Sequence, residues 1–145
     1  FESSLGCVAG VGAGPGMTAP KPDCTAVPIL RIFDLPKAKA FNLDFLGFNL
    51  DWDHQFADDG PHYLQVSRGG MVLHLSEHHG DGSPGSGVFV STTNLAEFHA
   101  EITAKGYQFM RPGIEDAPWG GRVMTVIDPF HSKLQFHEDS TPEDA

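Results

Sequence analysis

The sequence predicts an α+β fold made of two copies of one β-α-β-β-β unit, and three observations carry that expectation. Short runs of β-branched and aromatic residues surround one amphipathic stretch, and this succession occurs twice in the same order. A glycine-rich stretch, HGDGSPGSG (His79 to Gly87), separates the two runs. The 145 residues, 40% of them hydrophobic, are enough for one domain with a substantial core.

In the first unit, Ala26 to Phe33 (AVPILRIF) reads as a strand. Leu35-Pro36 then opens a helix in which Ala38, Phe41, Phe45 and Leu46 fall near helical spacing, and Gly47 closes it. Three strands are expected next, at Phe48 to Phe56, His62 to Ser67 and Met71 to Ser76, the last two joined by the turn Arg68-Gly69-Gly70. In the second unit Val88 to Thr92 reads as a strand. Leu95, Phe98 and Ile102 then mark a helix, N-capped by Thr93 or Asn94 and stopped at Gly106. Tyr107 to Arg111, Arg122 to Ile127 and Lys133 to His137 are the three closing strands, with Asp128-Pro129-Phe130 turning between the last two.

The domain is expected to span residues 26–138. Residues 1–25, rich in Gly, Ala and Pro, and the acidic residues 139–145 read as flexible tails. Met17, opening MTAPKPD, is a candidate initiator that would make residues 1–16 upstream sequence. A net charge of −10 supplies no basic patch for phosphate neutralisation, so nucleic acid is not an expected partner and a cationic ligand is. No apolar run approaches the roughly 20 residues of a membrane span. Both cysteines, Cys7 and Cys24, precede the first strand, which argues against a disulfide framework and for a cytoplasmic protein.

Alternation assigns faces. Leu73 and Leu75 would pack beneath a helix and turn Val72, His74 and Ser76 to the other side; Leu134 and Phe136 likewise leave Gln135 and His137 opposite. Val27, Ile29 and Arg31 share a face, as do Gly87, Phe89 and Ser91. These four strands are expected to wall a concavity.

The strings ILRIFDLPKAKAFNLDFLGFNLDW (Ile29 to Trp52), LAEFHAEITAKGY (Leu95 to Tyr107) and PWGGRVMTVIDPFHSKLQF (Pro118 to Phe136), in this order, resemble the vicinal oxygen chelate superfamily. That superfamily holds glyoxalase I, extradiol dioxygenases and bleomycin resistance proteins. The WGG, strand and DP turn near the end are most similar to the bleomycin resistance members. The resemblance implies paired β-α-β-β-β modules forming curved mixed sheets around a cavity. Its metal-dependent members take one ligand from each of the first, fourth, fifth and eighth strands, which here implies Val27, His74, Gly87 and Gln135. Only His74 is a good ligand, and Gln135 offers an amide oxygen. The expectation is therefore no metal cofactor, with a divalent ion held by His74 and Gln135 as the alternative.

Eight histidines are present. The cluster His74-Leu75-Ser76-Glu77-His78-His79 either borders the cavity, with His54 or His137 nearby, or places His78 and His79 as solvated loop residues. His99 reads as a surface or helix-packing residue, and His131 stands where the resembled family favours glycine. Trp52, Trp119, Phe56 and Phe89 are the aromatics expected to reach a groove, core packing being the alternative. Arg31 and Arg122, in strands, need acidic partners, with Asp51, Asp53, Glu115 and Asp116 as candidates. The expected ligand-binding set is Trp52, His54, His74, Phe89, Trp119, Gln135 and His137, with no catalytic residues assigned. The function the resemblance implies is metal-independent sequestration of an antibiotic or similar cationic small molecule in a groove at a homodimer interface. A glyoxalase-like lyase, isomerase or dioxygenase with a displaced ligand set is the alternative.

Overall fold

The computed structural model describes residues 23–140, so the expected tail segments at residues 1–22 and 141–145 lie outside the described residues. The first unit comprises β1 (Ile29–Arg31), α1 (Leu35–Lys39) running into a π-helical segment (Ala40–Phe45), β2 (Asn49–Gln55), β3 (His62–Arg68) and β4 (Met71–Ser76). The second comprises β5 (Gly87–Ser91), α2 (Leu95–Ala104), β6 (Ile114–Asp116), β7 (Arg122–Ile127) and β8 (Lys133–Glu138). Two four-stranded sheets result, ordered β1-β4-β3-β2 and β5-β8-β7-β6. In each, the first strand pairs parallel with the fourth and the remaining pairs are antiparallel. This is the vicinal oxygen chelate architecture.

Local chemistry sets the element ends. The Asp34 carboxylate accepts from the Lys37 backbone N–H at 3.0 Å, and Pro36 sits in the first turn, where its missing donor costs nothing. The helix ends through the π segment, where the Leu46 N–H reaches back to Phe41 O and the buried Asn42 amide donates to Ala38 O. Gly47 follows at φ +78°, a conformation glycine adopts freely.

One core serves both units: Phe41, Leu64 and Leu73 from the first are continuous with Leu95, Ile102 and Met124 from the second, all buried. Each large apolar side chain so buried contributes about 1.5–3 kcal/mol. Arg68 clamps the units. Its guanidinium donates to Glu101 Oε1 at 2.7 Å and Oε2 at 2.9 Å, reaches Leu46 O at 3.2 Å, and lies 4.6 Å over the Phe98 ring. The helices thus lie on the core side, and the other face of each sheet is left to the site.

Two sequence expectations are corrected. The strand expected at Tyr107 to Arg111 is not formed; the strand is β6, beyond Pro112 and Gly113. Tyr107 instead stacks on Phe45 at 4.4 Å between centroids, and Pro112 has no N–H to give a ladder. Asn94 holds the N-cap position of α2, one of the two residues expected there, but its side chain makes no cap bond; its backbone N–H instead donates to Glu138 Oε2 at 2.9 Å.

Candidate functional site

The outward face of the first sheet carries a hydrogen-bonded aromatic panel. Its register shifts between Leu50, opposite Val66, and Trp52, opposite Gln65, leaving Asp51 as an extra residue. Such a bulge re-aims side chains. Asp51 and Trp52, adjacent in sequence, therefore both reach the panel, and the Asp51 carboxylate accepts from Gln65 Nε2 and Ser67 Oγ, each at 3.0 Å. Those two bonds hold its pKa below the ordinary carboxylate value.

His74 is the hub. Gln65 spends its amide nitrogen on Asp51, so its Oε1 faces His74 Nε2 at 3.0 Å and accepts from it. Nε2 therefore carries the proton, and Nδ1 accepts from the Tyr63 hydroxyl at 2.9 Å. Burial, followed by the Asp81 charge, pushes the Tyr63 pKa up, which keeps that hydroxyl a donor. Trp52 stacks on Tyr63 with centroids 5.9 Å apart and meets His74 edge-on at 5.4 Å. His54, Phe56 and His78 form the rim, Phe56 meeting His54 at 4.4 Å and His78 at 4.5 Å. His78 is thus half-buried against aromatic rings rather than solvated, whereas His79 is exposed.

The second sheet carries a separate panel. Trp119, in the loop between β6 and β7, and Phe89 on β5 are 62% and 54% exposed, and both pack on the buried His137 ring, at 5.6 Å and 5.5 Å. The Trp119 indole N–H donates to His137 Nε2 at 3.1 Å. Gln135 faces the same way, in register with Phe89 and Thr125.

The seven expected site residues thus fall into two groups: Trp52, His54 and His74 on one sheet, and Phe89, Trp119, Gln135 and His137 on the other. Among the described residues no ring contact joins the groups. An open groove of about 1170 Å³ runs between the units, but of the seven only Phe89 borders it. Sequence reading missed Asp51 as a panel residue, together with Tyr63 and Gln65. Alternation in β3, with Leu64 and Val66 turned to the core, was the available signal for the latter two. The arginine partners also differ from expectation: Arg122 pairs with Glu138 at 3.0 Å, Arg31 lies 4.6 Å over the Phe33 ring, and Asp53 bonds His62 at 2.7 Å.

The side chains do not fit a divalent metal ion of the kind held across the first, fourth, fifth and eighth strands. Val27 precedes β1, and the register sets Ile29, not Val27, beside His74, and Phe89, not Gly87, beside Gln135. Neither neighbour offers a lone pair, and both nitrogens of His74 are held by Tyr63 and Gln65. Among the described residues no three His, Cys, Asp or Glu side chains converge as metal ligands.

Paired β-α-β-β-β units with a side-chain-lined face on each sheet define a protein of the vicinal oxygen chelate class. The family model described as "Glyoxalase superfamily protein" matches residues 24–143, and the chain belongs to that superfamily. Solved structures agree. A bleomycin resistance determinant encoded on transposon Tn5 is 25% identical, with a TM-score of 0.62 over 81% of this chain and 99% of the other. The bleomycin-binding protein of bleomycin-producing Streptomyces verticillus, complexed with copper(II)-bleomycin, is 25% identical, with a TM-score of 0.61 over 83% of this chain and 100% of the other. TnmS3, an antibiotic-binding protein from Streptomyces sp. CB03234, is 22% identical at a TM-score of 0.61, covering 83% and 100%. No curated protein sequence matches significantly.

Proposed function

We propose that this protein binds a cationic, antibiotic-like small molecule on its two aromatic panels, in the cytoplasm, without a metal and without transforming it. The observation that carries this reading is the exposure of large aromatic side chains on both sheets: Trp52 at 42%, Phe56 at 58%, Phe89 at 54% and Trp119 at 62%. Exposed aromatic surface backed by fixed hydrogen bonds suits a planar or cationic ligand, through stacking and cation–π attraction. The net charge of −10 favours a cation over long range. The 25% identity to bleomycin-binding structures supports the same class of ligand.

A homodimer completes the reading. A two-fold axis that sets the first-sheet panel of one protomer against the second-sheet panel of its partner covers both apolar surfaces and builds two identical grooves. The test is titration of the protein with metal-free bleomycin by calorimetry, alongside light scattering for mass and elemental analysis for metal. Saturable binding by a metal-free dimer, weakened at least about tenfold by Trp52→Ala and by Trp119→Ala, is the expected result. A monomer that binds nothing, or a stoichiometric side-chain-bound metal, would sink the proposal.

A further inference from the structure

Asp51 and Trp52 are neighbours in the chain and stand on the same face of the first sheet, which regular alternation forbids. Asn49 pairs with Ser67 and Trp52 with Gln65, two residues of β3 that face the panel, while Leu50 pairs with the buried Val66. Asp51 is the residue left over, and its bonds to the Gln65 and Ser67 side chains place it on the panel as well. The bulge thus sets a carboxylate beside an exposed indole.

That carboxylate is held but not used up. Oδ2 accepts from Gln65 and Oδ1 from Ser67, so each oxygen keeps a lone pair. Gln65 is itself fixed by His74 at 3.0 Å, and the orientation of the carboxylate is therefore set before any ligand arrives. The indole beside it is backed by Tyr63 and His74.

The charges on β1 to β4 leave Asp51 alone. Asp53 is turned to the helix side, tied to His62 at 2.7 Å and Lys39 at 3.6 Å, and Arg68 is spent on Glu101 at 2.7 Å. Arg31 shares the face of the panel but lies on β1, at the opposite edge of the sheet from β2. Asp81, in the loop beyond β4, accepts from Ser76 Oγ at 2.8 Å. None of the ion pairs among the described residues includes Asp51. On the second panel Asp139 has no comparable frame: its carboxylate meets His137 Nδ1 at 3.4 Å and is otherwise exposed.

We infer that the bulge pair Asp51 and Trp52 is the subsite for an ammonium or guanidinium group of the ligand. The N–H donors of that group take the free lone pairs of Asp51, and its flank lies over the indole. The inference rests on the reading of the panels as a small-molecule site and assigns the cation to the first sheet, with Asp51 as the residue that selects it.

The probe is phenethylammonium chloride, with phenethyl alcohol as its uncharged counterpart, titrated into protein labelled with ¹⁵N. The sequence holds two tryptophans, so two indole N–H signals report, and loss of one in Trp52→Phe assigns them. The amine should shift the Trp52 signal saturably and bind at least about fivefold more tightly than the alcohol. Asp51→Asn, which keeps an acceptor oxygen and removes the charge, should bring the amine to the level of the alcohol, the rest of the spectrum showing that the fold is kept. Asp139→Asn removes the same charge elsewhere and should leave amine binding within about twofold, which separates local contact from long-range attraction.

An amine that binds no better than the alcohol overturns the inference, as does one that binds Asp51→Asn as tightly as wild type or does not shift Trp52 at all. Bleomycin keeps the two readings apart. If it binds wild type and Asp51→Asn equally, the antibiotic reading stands and the subsite fails; if the amine behaves as expected and bleomycin does not bind, the subsite stands and the antibiotic reading fails.

Discussion

The Tyr63 hydroxyl donates to Nδ1 of His74 at 2.9 Å, and that bond decides what His74 can do. With Nε2 committed to Gln65 at 3.0 Å, the imidazole is the middle of a chain from Tyr63 to Asp51 and has no lone pair free for a metal or substrate. The residue type that suggested a ligand is instead what fixes the tyrosine, and through it the stacked Trp52.

Replacing His74 with alanine strands the half-buried Tyr63 hydroxyl and the Gln65 carbonyl. The expected cost is about 1–3 kcal/mol in a urea unfolding experiment. Gln65→Ala, which leaves the Tyr63 bond intact, should cost less. Because neither ring nitrogen is free, prolonged dialysis of the wild-type protein against a chelator should leave its thermal midpoint unchanged; a fall of several degrees would show that a metal had been holding the site.

The inter-unit clamp makes a prediction about acid. The Arg68 hydrogen bond holds the Glu101 pKa below its ordinary value of 4.5, and the Arg122 hydrogen bond does the same for Glu138. A folded-state pKa below the unfolded one gives stability that is present above the unfolded value and lost as pH falls through the folded one. Both pairs are largely exposed, so each contributes about 0.5–1 kcal/mol after screening. Glu101→Gln should therefore lower stability at neutral pH and flatten its decline below about pH 4.5. An acid limb as steep as that of wild type would refute the assignment.

The sequence made some of these relationships legible and hid others for reasons of geometry. Strict alternation in Met71–Ser76 is enough to turn His74 away from Leu73 and Leu75, and the structure agrees. Asp51 was hidden because a bulge breaks the two-residue period on which the reading depends. The pairing of Arg122 with Glu138 follows from a register that sets the two residues opposite each other across β7 and β8, and composition does not reveal register. Tyr107 to Arg111 has a strand's composition, yet tertiary packing uses Tyr107 as an aromatic plug against Phe45, which outweighs local preference. The split of the site over two sheets was not legible, because alternation orients a side chain but does not say what stands opposite it.

The β7–β8 turn yields two further predictions, opposite in sign. Asp128 is 6% exposed, and its Oδ1 accepts from the N–H groups of Phe130 at 2.9 Å and Ser132 at 2.8 Å. Burial pushes its pKa above the ordinary 3.8 despite those bonds, so the folded protein binds this proton more tightly than the unfolded chain. This contribution is greatest below the unfolded pKa and is lost as pH rises through the folded one. Asp128→Asn keeps the oxygen acceptor and removes the buried charge, and should be neutral or stabilising at pH 7, whereas Asp128→Ala leaves both backbone donors unpaired and should cost about 1–3 kcal/mol.

Three residues on, His131 holds φ +69°, a conformation that strains any residue with a Cβ. His131→Gly removes that strain and should raise stability by about 0.5–1 kcal/mol, the added freedom of glycine in the unfolded chain offsetting part of the gain. Thermal midpoints of the three variants, measured together at neutral pH, should rank His131→Gly above wild type and Asp128→Ala well below it. An Asp128→Asn variant as unstable as Asp128→Ala would show that the carboxylate's charge, not its acceptor oxygen, holds the turn.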